Sequence, residues 1–190
     1  MSKLIYAVNT SVDGFMEDKD GNFNWTEPNE QVFKFITDLI RPIGTHLLGR
    51  RMYETMMVWE TDPNLAAESS LMHDFAEVWQ AANKIVFSTT LENLSTRKTQ
   101  LMRSFEVEAI RQLKANSEHD ILIEGPEVAS HAFRAGLIDE CHLFVLPVVV
   151  GGGKSAIPNN LRMNLELLEE HRFGNGTVYL RYRIKPVSSS

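Results

Sequence analysis

Asp120-Ile121-Leu122-Ile123-Glu124-Gly125-Pro126 is the stretch whose reading decides the fold. A short apolar strand turns through Gly-Pro into a helix that ends near Gly136. The chain then returns as Cys141 to Val150, its longest apolar strand, which Gly151-Gly152-Gly153 stops. Towards the N-terminus, Phe105 to Lys114 is helical, with Val107, Ile110 and Leu113 on one side. Gln100 to Arg103 and Lys84 to Ser88 are strands. Leu65 to Ala82 reads as one helix with Leu71, Phe75, Val78 and Trp79 on one face. Thr45-His46-Leu47-Leu48 is a buried strand that Gly49 feeds into a helix from Arg50 to about Val58. Pro28 opens a helix carrying Val32, Phe33, Ile36, Leu39 and Ile40, which Pro42 and Gly44 end. The first strand runs from about Lys3 to Thr10, and the polar stretch after it, with Asp18, Asp20, Gly21, Asn22 and Asn24, is a loop. At the other end, Leu165 to Phe173 and Thr177 to Ile184 form a hairpin around Gly174-Asn175-Gly176. Strands alternate with helices and the central strands are continuous apolar runs, which predicts an α/β sandwich with helices on both faces of the sheet. Residues 1–185 read as one domain and 186–190 as a disordered tail.

The composition fits that reading. The chain has 190 residues, 43% of them hydrophobic and 23% charged, which excludes disorder and collagen-like repetition. Nineteen basic against 25 acidic residues give a net charge of −6, which disfavours nucleic acid as a partner. No run approaches the ~20 apolar residues that cross a bilayer. The N-terminus is too short in apolar residues for a signal-peptide core. The single cysteine, Cys141, suits a reducing compartment, so a cytoplasmic protein is expected. Six scattered histidines show no ligand spacing, and no metal is expected.

Three strand-to-helix junctions carry residues suited to an anionic ligand, because ligands of open α/β sheets bind beyond the carboxyl ends of the strands. Gly49-Arg50-Arg51 offers two permanent cations, whose planar forks match phosphate. Ser88-Thr89-Thr90 offers hydroxyls, and Glu124-Gly125-Pro126 lets backbone approach a ligand closely. Each has a plain structural reading as a solvated turn, a helix cap or a tight turn. Their shared position is what suggests one phosphate-bearing ligand across one sheet edge. No Gly-x-Gly-x-x-Gly follows the first strand, and Gly151-Gly152-Gly153-Lys154-Ser155 lacks the spacing of a phosphate loop. No nucleophile elbow appears either.

Ser11-Val12-Asp13-Gly14-Phe15, Leu47-Leu48-Gly49-Arg50-Arg51-Met52-Tyr53-Glu54, and Ala135 to Glu140 running on to Pro147-Val148-Val149-Val150-Gly151-Gly152-Gly153-Lys154 together resemble the dihydrofolate reductase-like superfamily. The resemblance is greatest to the reductase domain of bifunctional riboflavin-biosynthesis enzymes and its stand-alone bacterial relatives. It implies a three-layer sandwich around a mostly parallel eight-stranded sheet, with an antiparallel C-terminal strand. It also implies NADPH as hydride donor to a pteridine, pyrimidine or similar heterocycle. By that resemblance Gly49, Arg50 and Arg51 line the cofactor phosphates, and Ser88 and Thr89 sit beside the adenosine ribose. Gly125, Val128 and Ala129 face the pyrophosphate, while the loop from Asp13 through Phe15 to Met16 covers the nicotinamide.

On the substrate side, Trp25-x-x-Pro28-x-Glu30 resembles the spacing at which dihydrofolate reductases place the acid that anchors the pterin. Glu30 is thereby implied as the catalytic acid, with Trp25 and Phe33 binding substrate. An exposed first-turn glutamate favoured by the helix dipole is the plain alternative. Met52 stands where these enzymes usually carry threonine, and Gly125-Pro126 stands in place of their Gly-Gly turn. A cis Gly125–Pro126 bond is therefore expected, since proline lowers its cost to about 0.5–1 kcal/mol. The implied function is an NADPH-dependent reductase, with a homodimer formed through the Cys141–Val150 strand and the C-terminal hairpin. The rivals are a protein of this fold that binds a nucleotide or another small ligand without turnover, and a purely structural module.

Overall fold

The computed structural model describes residues 1–185, so the tail expected at 186–190 lies outside the described residues. The main sheet has eight strands: β1 (Leu4–Ser11), β3 (Thr45–Gly49), β4 (Asn83–Phe87), β5 (Thr99–Met102), β6 (Ile121–Glu124), β7 (Glu140–Leu146), β9 (Asn164–Arg172) and β10 (Val178–Lys185). Their order is β5-β4-β3-β6-β1-β7-β10-β9. β10 pairs antiparallel with both its neighbours, and every other pairing is parallel. Two short strands, β2 (Phe15–Glu17) and β8 (Lys154–Ser155), form a separate ribbon.

Alternation along the central strands builds a core on each face. Leu4, Tyr6 and Val8 of β1, with Ile121 and Ile123 of β6, pack on α6 (Val107–Asn116) and α7 (Pro126–Arg134) through Ile110, Val128, Ala129, Ala132 and Phe133. Ile5 and Leu122 point the other way, onto α1 (Glu30–Ile40) and α5 (Ser70–Ala81) through Ile40, Phe75, Val78 and Trp79. Each such side chain taken fully from water contributes about 1.5–3 kcal/mol, and burial of both strand faces explains the unbroken apolar runs.

Several boundaries differ from the expectation, each for a local reason. The first helix begins at Glu30 rather than Pro28, because Asn29 is extended and its side chain accepts a 3.0 Å bond from the Val32 N–H. The long helix expected over Leu65–Ala82 is two, α4 (Pro63–Ala67) and α5. Extended Ser69 separates them and caps the second through Met72 N–H. The helix from Arg50 stops as α2 (Arg50–Met56), with α3 (Val58–Thr61) following. β7 ends at Leu146 instead of Val150, since Pro147 has no N–H for the ladder. β7 also lies between β1 and β10. It therefore offers no free edge to a second copy, which corrects that part of the dimer expectation. No peptide bond among the described residues is cis, so the cis Gly125–Pro126 expectation fails. Gly125 makes the turn by itself at φ +101°, and Pro126, with its φ already helical, starts α7.

Candidate functional site

Because the strands from β5 to β7 run parallel, their carboxyl ends open on one side of the sheet. A single cleft of about 1290 Å³ lies there. At one end it is basic and hydroxyl-rich: Gly49 ends β3 and Arg50 and Arg51 follow it, Ser88, Thr89 and Thr90 follow β4, and Arg103 and Ser104 follow β5. Arg50 donates to Glu54 Oε1 and to Thr90 Oγ1, both at 2.7 Å. Arg103 donates to the Ser88 and Leu91 carbonyls. These bonds tie the two turns together. The Arg51 carbonyl accepts from the Thr55 hydroxyl, but its guanidinium makes no hydrogen bond or ion pair among the described residues and is available. The Ser88 hydroxyl accepts from the Thr90 and Leu91 N–H groups, closing its turn and leaving its proton to donate outward.

In the middle of the cleft two glycine junctions meet. A methyl built on Gly125 would lie 3.6 Å from the Gly49 nitrogen, and Val128 Cγ1 lies beside both glycines. Beside them Phe87, Phe105 and His131 form an aromatic wall, with Phe105 stacked on His131 at 5.5 Å and 20°. Lys154 and Glu127 meet at 3.0 Å on the rim, and Lys154 holds the Glu127 carboxyl below its ordinary range.

The far end is apolar. Ala7 and Leu122 form its floor beside Asn9, and Ile36, Leu39, Ile40 and Phe144 its wall. One carboxylate stands on that floor: Glu124, with its side chain 18% exposed, 2.9 Å from Nδ1 of buried His46. Met16 and Glu17 of β2, with Gly21, Phe23 and Thr26, cover this end.

Of the residues singled out from sequence, Gly49, Arg50, Arg51, Ser88, Thr89, Gly125 and Val128 meet in the cleft. Ala129 packs in the core behind it. Asp13 and Phe15 belong to the cover but do not line the cleft. Asp13 accepts from the Gly151 and Val150 N–H groups at 2.8 and 3.2 Å, fastening the loop before β2 to the glycine turn. The Ser11 hydroxyl, then those two N–H groups, hold its carboxyl below the usual range. Phe15 pairs with Ser155.

The expected substrate set is not assembled. Glu30 is exposed on the first turn of α1 and does not line the cleft, and Trp25 spends its N–H on the Asn22 carbonyl. Phe33 packs against Phe75 and Trp59 at 5.1 and 5.9 Å. His46, Arg103, Phe105 and His131 are the residues that sequence reasoning passed over, and Glu124 entered it only as part of the Glu124-Gly125-Pro126 turn. The visible signal for two of them was polarity inside apolar strands, His46 beside Leu47-Leu48 and Glu124 after Ile121-Leu122-Ile123.

Comparison with known proteins agrees with this architecture. The Bacillus subtilis (strain 168) protein YyaP is 28% identical over 186 residues, which are 95% of this chain and 94% of YyaP. A Shewanella sp. PV-4 structure assigned to riboflavin biosynthesis superposes with a TM-score of 0.74 at 20% identity, covering 97% of this chain and 99% of that one. Enterococcus faecalis dihydrofolate reductase, solved with NADP(H), superposes with a TM-score of 0.64 at 17% identity over 97% of both chains. The fold is dihydrofolate reductase-like. The family model for the RibD C-terminal domain matches residues 2–179, and the chain belongs to that family of reductase domains.

Proposed function

We propose that the protein is an NADPH-dependent reductase of a pyrimidine- or pteridine-type heterocycle. The observation that carries this reading is the two-ended cleft. Cations and hydroxyls gather at one end, an apolar chamber with a carboxylate floor lies at the other, and the Gly49 and Gly125 junctions join them. The donor set suits a dinucleotide: Arg50, Arg51 and Arg103 match phosphates, and the Phe105–His131 wall suits a flat base. Bound NADPH would supply the hydride. The chain's own part is to hold, orient and dry the site. Gly49 and Gly125 admit the pyrophosphate between them, and Glu124 presents an acceptor to the heterocycle. Ile36, Leu39 and Phe144 exclude water, while β2 covers the opening.

β9 forms the sheet edge with Leu165 and Leu167 42% and 47% exposed, and we place the homodimer contact there. Among the described residues no helix is long and apolar enough to cross a membrane. Burial pushes the Cys141 thiol up to about 12, an inert group suited to the cytoplasm proposed as its location.

Titration of NADPH, followed by nicotinamide fluorescence and repeated with NADH, tests the reading. Loss of one charge-assisted phosphate contact costs about 1.5–3 kcal/mol, so Arg51→Ala is expected to weaken NADPH binding roughly 10- to 150-fold. Arg50→Ala is expected to act in the same direction. Absence of micromolar binding of either nucleotide overturns the proposal.

A further inference from the structure

β3 carries a buried polar ring next to Leu47 and Leu48. His46 is 1% exposed, its Nδ1 lies 2.9 Å from Glu124 Oε2, and its Nε2 has no hydrogen-bond partner. In register it lies between Leu122 of β6 and Lys84 of β4. Lys84 gives bonds to the Trp79 and Ala82 carbonyls instead. A leucine here would extend the run Leu47-Leu48 and remove the bare buried nitrogen, which costs about 1–3 kcal/mol. What the histidine achieves is at its other nitrogen. An imidazole nitrogen facing an ionised carboxylate oxygen at this distance carries the proton, because two opposed lone pairs repel. One Glu124 oxygen is thus occupied from behind. The other accepts no hydrogen bond among the described residues, and the side chain stays open to the cleft.

We propose that His46 is a positioning residue that holds Glu124 as a fixed, acceptor-only group, so that the chamber selects heterocycles presenting an N–H donor edge and rejects those presenting only oxygen acceptors. A site built to bond a donor discriminates strongly against the analogue lacking it, because its own polar group is left unpaired. This rests on the reductase reading for the nature of the occupant, but not for the bond between the two side chains.

Two measurements on the full chain test it. Long-range ¹H–¹⁵N spectra report the imidazole tautomer: His46 is expected with its proton on Nδ1, and an Nε2–H tautomer overturns the proposal. Calorimetric titration of 2,4-diaminopyrimidine against 2,4-dimethoxypyrimidine, with and without NADPH, then reads selectivity on one ring with and without N–H donors. The wild type is expected to prefer the diamino ring by ~10-fold or more, the worth of one charge-assisted bond. His46→Leu is expected to lose that preference. His46→Asn, whose amide nitrogen falls near the Nδ1 position, is expected to recover most of it, which a packing role for the ring would not give. Equal affinity for the two rings, no binding of either, or preference retained in His46→Leu each overturns the proposal. Failure of the reductase reading looks different: NADPH does not bind, while the tautomer and the ring preference persist.

Discussion

A methyl group added at Gly153 meets the closest approach between loops in the molecule's cover. Built on the observed backbone, it would lie 2.0 Å from the Glu17 carbonyl oxygen and 2.7 Å from the Asp18 carbonyl carbon, at φ +138°. Both obstacles are backbone, so no side chain can swing aside. One loop must retreat by more than an ångström to reach ordinary contact. Gly151 supplies the control: its φ of +75° is also left-handed, but an added methyl meets nothing within 4 Å. Gly151→Ala therefore carries the conformational cost alone, about 1–2 kcal/mol. Gly153→Ala carries about 1–3 kcal/mol for its own backbone region. It also loses the β2–β8 pairing of Phe15 with Ser155 and Glu17 with Lys154, at about 1 kcal/mol for each bond lost. The sum is roughly 3–5 kcal/mol, or on the order of 6–20 °C in Tm for a chain of this size. Detachment of the cover alone would relieve part of that strain. Urea unfolding and limited proteolysis of the segment 12–23 should accordingly be read together. Stability within ~1 kcal/mol of Gly151→Ala, with unchanged cleavage of that segment, would refute the close-packed account of the glycine turn.

Two further outcomes are expected. Glu140, with its side chain 3% exposed, lies 2.8 Å from both Lys3 Nζ and Arg181 Nε. Burial opposes its charge, but bonds from Arg181, Lys3 and His142 outweigh that and bring the carboxyl from 4.5 to about 2. Its folded pKa is the lower one, so its contribution is full above pH 4.5 and is lost as pH falls towards 2. The drop is worth roughly 3 kcal/mol at 1.36 kcal/mol per pH unit. Solvent around the partly exposed Lys3 and Arg181 reduces it, so Glu140→Gln should cost about 1.5–3 kcal/mol in urea unfolding at pH 7. Unchanged stability there would contradict the network. At the sheet edge, Leu167→Lys should convert a dimer to a monomer by light scattering at unchanged Tm, since a lysine on an edge strand opposes pairing. A wild-type monomer would remove the β9 interface.

The fold was legible because it rests on local chemistry. Apolar runs flanked by Gly49 and Gly125 could only be buried parallel strands passing into helices, and Asn175-Gly176 marked the hairpin. The boundaries that shifted turned on single residues whose role depends on conformation: Asn29 and Ser69 acting as caps, Pro147 withholding an N–H from the ladder. At the basic end of the cleft the residues were equally easy to single out, because each contributing junction is contiguous in sequence and chemically distinctive, Gly-Arg-Arg, Ser-Thr-Thr and Gly-Pro.

The apolar end of the cleft obeys a different rule. Its chamber is assembled from β1, α1, β6 and β7, and nothing in the spacing of Trp25, Pro28 and Glu30 says which way a helix face turns. α1 directs Val32 to the core and Ile36, Leu39 and Ile40 to the chamber wall, which leaves Glu30 outside. The more reliable signal was polarity in the wrong place. A histidine in a five-residue strand and a glutamate closing an apolar one each oppose the burial that forms their strand. Their pairing at 2.9 Å across neighbouring strands relieves that opposition only in part, since His46 Nε2 stays unsatisfied. Uncompensated polarity on an apolar floor is unfavourable for folding by about 1–3 kcal/mol, and a binding chamber is where such a cost has a use.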